Sequence, residues 1–257
     1  MFLSLVSGSS GNASLIQNKN TTILVDCGLS GKRLSQMLDE IGISCSDIDA
    51  MLITHEHSDH TLGAGVISRR FDIPIYATEK THSAMSIGVI KEGAAKLIKN
   101  NSAFEIGDIG IQPFSISHDA ADPVGYCFYC DNKKYSLATD TGVMTETVFS
   151  NISGSDCVML EANHDVDMLM YGEYPYNLKK RISSDLGHLS NDSAAKTAVE
   201  LLNTNTTHIM LSHLSDKNNL PDVAYKTVEN AIKMSGAEVG RDIGLCVANR
   251  YEVTKFI

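Results

Sequence analysis

Apolar positions in the first third of the chain fall in short dense blocks. Phe2–Val6, Ala13–Gln17 and Thr22–Asp26 are β-type runs separated by Gly, Ser and Asn turns, the pattern of an antiparallel meander. Within Ser30–Gly42 the period lengthens: Leu34, Met37, Leu38 and Ile41 recur at helical spacing, and Gly42 supplies a stop. Met51–Thr54 predicts a buried strand that runs directly into a histidine-rich segment, and a helical stretch follows from Thr61 to about Phe71. The middle reads as strands at Gly110–Ser117, Val124–Cys130 and Lys134–Thr139, with Asp131-Asn132 as a turn, and then Asp156–Glu161. The final third alternates a helix over Asp192–Leu202, a strand over Ile209–Ser212 and a helix over Pro221–Met234, with Pro221 suited to a first helical turn. Strands first and alternation later predict an α/β (α+β) fold, with two mixed sheets each covered by helices in a four-layered αββα sandwich. No linker composition interrupts the 257 residues, so a single domain over 1–257 is expected.

Composition narrows the setting. Charges or glycines break every apolar run well short of the roughly 20 residues a membrane helix needs, so no membrane association is expected. The apolar start, Met1 to Val6, lacks a basic leader and reads as a first strand rather than an export signal. Six scattered cysteines then predict free thiols in a reducing, cytoplasmic compartment. A formal charge of −10 argues against broad, sequence-blind binding of nucleic acid, although a local basic groove or bound divalent metals would reverse the field at one site.

The chemistry concentrates in Thr54-His55-Glu56-His57-Ser58-Asp59-His60. In an extended backbone, residues two apart point the same way, so His55, His57 and Asp59 converge on one side, and His60 turns in with the next helix. Imidazoles and a carboxylate at this density suit zinc, iron or manganese. This His-x-His-x-Asp-His pattern resembles the signature of the metallo-β-lactamase superfamily, and the resemblance extends along nearly the whole chain.

That resemblance implies further ligands in order: His118 after Ser115-Ile116-Ser117, Asp140 in Ala138-Thr139-Asp140-Thr141-Gly142, and His213 in Leu211-Ser212-His213-Leu214-Ser215. It also implies their division: His55, His57 and His118 on one metal, Asp59, His60 and His213 on a second, with Asp140 shared. Two such metals hold a bridging hydroxide and stabilise both attacking and leaving oxygens of an in-line displacement, which is chemistry for phosphodiesters. By the same resemblance Asp59 orients or deprotonates the attacking water. Zinc suits the histidines, and the shared carboxylate leaves manganese or iron open.

An aspartate at Asp140 disfavours a true β-lactamase and favours the nuclease and thioesterase branches. Ser7-Gly8-Ser9-Ser10-Gly11-Asn12, His118-Asp119 with Pro123-Val124-Gly125-Tyr126, and Glu161-Ala162-Asn163-His164-Asp165 together resemble the WalJ (YycJ) branch, which is similar to the tRNA 3′-processing and other nucleases. The resemblance implies an exonuclease-like action on a nucleic-acid substrate, DNA or RNA. It also implies a glutamate–histidine pair that protonates the leaving group: Glu161 with His188 as first candidate and His164 as competitor. Ser9, Ser10 and Asn12 in the Ser/Gly-rich turn offer hydroxyls and an amide for a phosphate, against an ordinary strand connection. Tyr171, Tyr174 and Tyr176 precede Lys179-Lys180-Arg181, which reads either as a substrate-gripping lid or as a helix with a solvated basic face.

Other candidates are set aside. Cys127 and Cys130 lie three apart in a strand, on opposite faces, and are expected to be strand residues; His208, five before His213, is expected to be structural and His82 to be exposed. Glu56 alternates away from the ligands and is expected to support one of them from behind. Competing functions are a thioesterase or lactonase of the glyoxalase II type, which would use the same ligands, and a non-catalytic metal-binding regulatory protein.

Overall fold

The computed structural model describes residues 1–255. Its first half contains β1 (Phe2–Val6), β2 (Ala13–Gln17), β3 (Thr22–Val25), α1 (Gly31–Glu40), β4 (Ala50–Leu52), α2 (Ser58–Thr61), α3 (Ala64–Phe71), β5 (Ile75–Thr78), α4 (Glu79–Ala84), β6 (Ala95–Ile98) and β7 (Phe104–Ile106). The second half contains β8 (Ile109–Ser115), β9 (Val124–Cys130), β10 (Lys133–Ala138), α5 (Glu146–Ile152), β11 (Cys157–Glu161), α6 (Val166–Tyr171), α7 (Tyr176–Ile182), α8 (Asn191–Leu201), β12 (His208–Ser212), α9 (Pro221–Met234), β13 (Gly244–Val247) and β14 (Thr254–Lys255). The strands form two seven-stranded sheets, ordered β14-β1-β2-β3-β4-β5-β6 and β13-β12-β11-β10-β9-β8-β7. Each is mixed, as expected: β3 to β6 pair in parallel, as do β10 to β13, and the remaining pairs are antiparallel.

The four layers follow from which side chains each strand sends to which face. Phe2, Ile23, Val25 and Leu52 of the first sheet meet Val124, Tyr126, Phe128, Met159 and Met210 of the second in the inter-sheet core. On the outer face of the first sheet, Leu3, Leu5, Leu24 and Met51 pack under Leu34, Met37 and Leu38 of α1 and Ile67 of α3. On the outer face of the second, Val158, Leu160, Ile209 and Leu211 pack under α5, α8 and α9 through Val148, Ala198, Val228 and Ile232. Strands buried on both faces carry unbroken apolar runs, which is why β3, β4 and β11 have no polar alternation. No described helix is long and apolar enough to cross a membrane.

The layering places the site. Successive parallel strands leave their carboxyl ends along one edge of each sheet, and loops emerging there carry ligands on a rigid frame. β9 and α9 have the bounds the pattern predicts. The helix expected over Thr61–Phe71 is instead two, α2 and α3, broken at Leu62-Gly63. A Cβ at Gly63 would lie 2.2 Å from the Leu29 carbonyl oxygen, so close packing against the β3–α1 loop sets the break.

Candidate metal centre

His55 lies just beyond β4, His57 caps the start of α2, and Asp59 and His60 sit within that single turn. Backbone bonds lace this loop to its neighbours: Asn12 N donates to Asp59 O at 2.8 Å, Cys27 N to His60 O at 2.7 Å, and Gly28 N to Asn12 O at 2.9 Å. Gly28 is the point of closest approach, since a Cβ there would fall 1.7 Å from Asp59 O. His118, Asp140 and His213 follow β8, β10 and β12 at the same edge. Asp26, Asp140 and His213 all adopt left-handed backbone (φ 60°, 57° and 56°), uncommon outside glycine but tolerated best by Asn, Asp and His, and it turns the chain sharply at the end of each strand.

Two clusters result. His55 Nε2 lies 3.1 Å from His57 Nδ1, and His118 Nε2 lies 3.3 Å from the same nitrogen. In the second, Asp59 Oδ2 is 3.5 Å from His60 Nε2 and 3.6 Å from His213 Nε2. Asp140 spans them, with contacts of 3.3 Å to His60 Nε2, 3.4 Å to His213 Nε2 and 3.9 Å to His118 Nε2. Tetrahedral ligands at zinc–nitrogen distances of about 2.0–2.1 Å lie about 3.3–3.4 Å apart, so these spacings fit divalent metals. His213 Nε2 and Asp140 Oδ2 are buried without a hydrogen-bond partner, and a metal would satisfy both.

In His55, His60, His118 and His213 the nitrogen turned away from the clusters is held. His60 Nδ1 donates to Asp26 Oδ2 at 2.8 Å, His213 Nδ1 to Glu161 Oε1 at 2.9 Å and His118 Nδ1 to the Gly187 carbonyl at 3.1 Å. Thr54 Oγ1 donates to Asp26 Oδ2 and accepts from His55 Nδ1 at 3.0 Å. Such outer partners fix tautomer and ring orientation. Asp26 is a partner of the cluster that the sequence did not disclose: it follows an apolar strand, and no spacing rule ties it to a histidine 34 positions on.

Electrostatics divide the histidines. Burial drives His55 well below the usual imidazole range, helped by the His60 charge, and burial likewise lowers His118; both are neutral and free to ligate. Burial also opposes a proton on His213, but Asp140, Asp59 and Glu161 outweigh it and push the imidazole up to about 10. At His60, Asp140 and Asp26 outweigh burial in the same way. Against the desolvation cost of its own burial, Asp140 is held ionised by His213 and His60.

The remaining predicted residues separate into those at the cleft and those away from it. A cleft of about 230 Å³ over the clusters is lined by Ser9, Tyr174, Arg181 and His188, among others, with Asp59 and Asp140 in its floor. His188 Nδ1 donates to Glu161 Oε1 at 2.8 Å, and Glu161 Oε2 accepts from Thr141 N and Leu189 N at 2.8 and 3.2 Å. Burial raises and His188 and His213 lower the Glu161 carboxyl, with a net fall to about 2. His164 is buried and outside the cleft lining, and burial lowers it to about 4. Ser10 is exposed and not part of the lining, whereas Asn12 is buried, bonded to Gly8 and 3.1 Å from His60 Nε2. Lys179 Nζ is committed to the Met170 and Gly172 carbonyls at 2.9 and 2.7 Å, and Lys180 is exposed outside the lining. Glu56 braces the loop after His118, accepting from Ala121 N at 2.8 Å, rather than backing a ligand imidazole. Cys127 and Cys130 enter different cores, on opposite faces of β9, and all six cysteines are free. His208 bonds its neighbour Thr207 at 2.9 Å; His82, expected to be exposed, is instead partly covered and bonded to the Lys96 carbonyl at 3.2 Å.

Two facing sheets with this ligand array at their strand ends define the class: the chain belongs to the β-lactamase superfamily, whose domain model matches residues 21–213. More particularly, it is 39% identical to exodeoxyribonuclease YycJ of Bacillus anthracis, over 93% of this chain and 91% of that protein. It is 41% identical to exodeoxyribonuclease WalJ of Streptococcus pneumoniae, over 93% of this chain and 90% of that protein. The metallo-β-lactamase fold protein YhfI of Bacillus subtilis has the same fold, with a TM-score of 0.71 at 17% identity, over 98% of each chain.

Proposed function

We propose that the protein is a dinuclear, metal-dependent phosphodiesterase that acts as an exonuclease, with DNA as the first substrate to test and RNA as the second. The observation that carries this reading is the pair of clusters sharing Asp140 beneath a cleft lined by His188, whose ring the buried Glu161 holds from behind. The relatives named as exodeoxyribonucleases support the choice of DNA. His55, His57 and His118 would hold one metal and Asp59, His60 and His213 the other, with Asp140 common to both. The nitrogen-rich donor set favours zinc, with manganese or iron as alternatives. When bound, such metals supply positive charge to phosphate oxygens and acidify water for an in-line displacement.

The chain's own groups supply the rest. Asp59, in the cleft floor with a side chain one-quarter exposed, is placed to orient the attacking water. His188 gives Nδ1–H to Glu161, so Nε2 is the nitrogen left to carry a proton to the departing oxygen. His164 lies off the cleft, and burial favours its neutral form, so the acid is assigned to His188 rather than His164. We place this single domain in the cytoplasm, in keeping with its six free cysteines.

End-labelled single- and double-stranded DNA and RNA, assayed beside a glutathione thioester after metal loading, test the reading. Release of terminal nucleotides from DNA, abolished by chelation, is expected. Thioester turnover without cleavage of any polynucleotide would replace this reading with a thioesterase.

A further inference from the structure

The proposed substrate is a polyanion, yet the chain carries a net charge of −10 and the cleft lining includes the carboxylates of Asp59 and Asp140. Arg181 is the only lysine or arginine that lines the cleft among the described residues. The other two cations of its run do not compete, since Lys179 is spent on carbonyls that pin the α6–α7 turn and Lys180 lies outside the lining. Helical geometry explains the division: Leu178, Arg181 and Ile182, at i, i+3 and i+4 on α7, share the face that lines the cleft.

Arg181 is also held. Its Nε donates to Asp119 Oδ2 at 2.5 Å and its Nη2 to Asp119 Oδ1 at 3.0 Å, a two-pronged grip that fixes the guanidinium plane. The fork uses two of five N–H donors, and no other acceptor among the described residues takes the remaining three. Asp119 follows His118 in sequence, and its Oδ1 lies 3.5 Å from His118 Nε2. The guanidinium therefore stands two contacts out from a metal-facing nitrogen, beyond the ring of ligands.

We propose that Arg181, positioned by Asp119, binds the backbone phosphate next to the scissile one and so makes the site selective for polynucleotides over isolated phosphodiesters. This rests on the phosphodiesterase reading above. The fork leaves three donors in a fixed plane for phosphate oxygens, and an arginine prepositioned this way loses little freedom on binding. A small diester has no neighbouring phosphate and gains nothing from it.

The test compares the wild-type chain with Arg181→Ala and Arg181→Lys on a DNA oligonucleotide and on bis(p-nitrophenyl) phosphate. The side chain is half exposed, so the variants are expected to fold. For Arg181→Ala, KM for DNA should rise about 10- to 100-fold, the worth of one charge-assisted contact, and the loss in kcat/KM should exceed that on the small diester at least tenfold. Independently of turnover, equilibrium binding of a cleavage-resistant phosphorothioate oligonucleotide should show the slope of log affinity against log salt reduced by about 0.7–0.9. Arg181→Lys keeps the charge without the fork, so it should restore the slope but not KM. An unchanged slope and KM in Arg181→Ala, or equal losses on both substrates, overturns the proposal. Wild-type protein that cleaves neither substrate would instead defeat the phosphodiesterase reading, and the binding measurement would still decide the role of Arg181.

Discussion

Glu161→Gln should damage the site out of proportion to its size. Glu161 is completely buried, and its two oxygens accept four hydrogen bonds: Oε1 from His188 Nδ1 and His213 Nδ1, and Oε2 from Thr141 N and Leu189 N. A glutamine keeps the shape but turns one end into a donor. With its oxygen toward the imidazoles, the amide sets its NH2 against Thr141 N and Leu189 N; turned the other way, it keeps its contacts only if His188 and His213 give up their Nδ1 protons, which takes His213 out of the tautomer that ligates through Nε2. The carboxyl falls from 4.5 to about 2, which at about 1.4 kcal/mol per pH unit is about 3 kcal/mol favouring the charged form. Two charge-assisted hydrogen bonds at about 1.5–3 kcal/mol each give a gross value of the same order. The metal-free variant should therefore lose about 3 kcal/mol of stability in urea denaturation at pH 7. That stability is present above pH 4.5 in the wild type and fades as pH falls toward 2. Loss of the group that orients His213 should also weaken the second metal about 10- to 100-fold, as removal of such partners commonly does, with metal content measured by calorimetric titration. A variant with wild-type stability and wild-type affinity at the second metal would show that Glu161 neither stabilises the site nor orients His213.

Three further outcomes are expected. His188→Ala should lower kcat on DNA about 10²–10⁴-fold with metal content unchanged, and far less on a nitrophenyl diester that needs no leaving-group protonation; equal losses on both would move the assignment to His164. His213 lies above its ordinary 6.5 in the metal-free chain, at about 10, so its contribution to stability is complete below pH 6.5 and disappears as pH rises through 10. Thermal unfolding of chelated protein should show Tm falling across that window, and calorimetry at pH 7.5 in buffers of different ionisation enthalpy should show metal loading releasing protons; no buffer dependence would contradict this. Gly28→Ala should force the Asp59 carbonyl aside at a cost of about 1–3 kcal/mol or more, read as a lower Tm together with reduced metal content.

The legible part of the site was the part encoded locally. His55, His57, Asp59 and His60 share one turn, and His118, Asp140 and His213 each follow a recognisable strand, so the superfamily resemblance could be carried onto them in order along the chain. The Asp26–His60 contact and the Asp119–Arg181 fork join residues 34 and 62 positions apart, and only the folded sheets bring them together. Lys179-Lys180-Arg181 showed the same limit: the run announces positive charge, but the turn of α7 and two carbonyls decide that Arg181 alone reaches the cleft. In the fold, β9 and α9 were readable to the residue because an apolar run or a proline marks their ends. β6 was not, since three of its four side chains are exposed and carry no apolar period. β13 was missed as well, a half-buried strand on the open edge of its sheet, where burial imposes little pattern.

If two metals sharing Asp140 carry the proposed phosphodiester chemistry, hydrolysis must follow their loading. The protein is stripped, zinc or manganese is added in steps, and bound metal per chain is measured by mass spectrometry on the same samples in which DNA hydrolysis is followed. Hydrolysis that appears only as occupancy rises from one metal to two is the predicted result. Saturation at one metal per chain, or full hydrolysis at one, would contradict it.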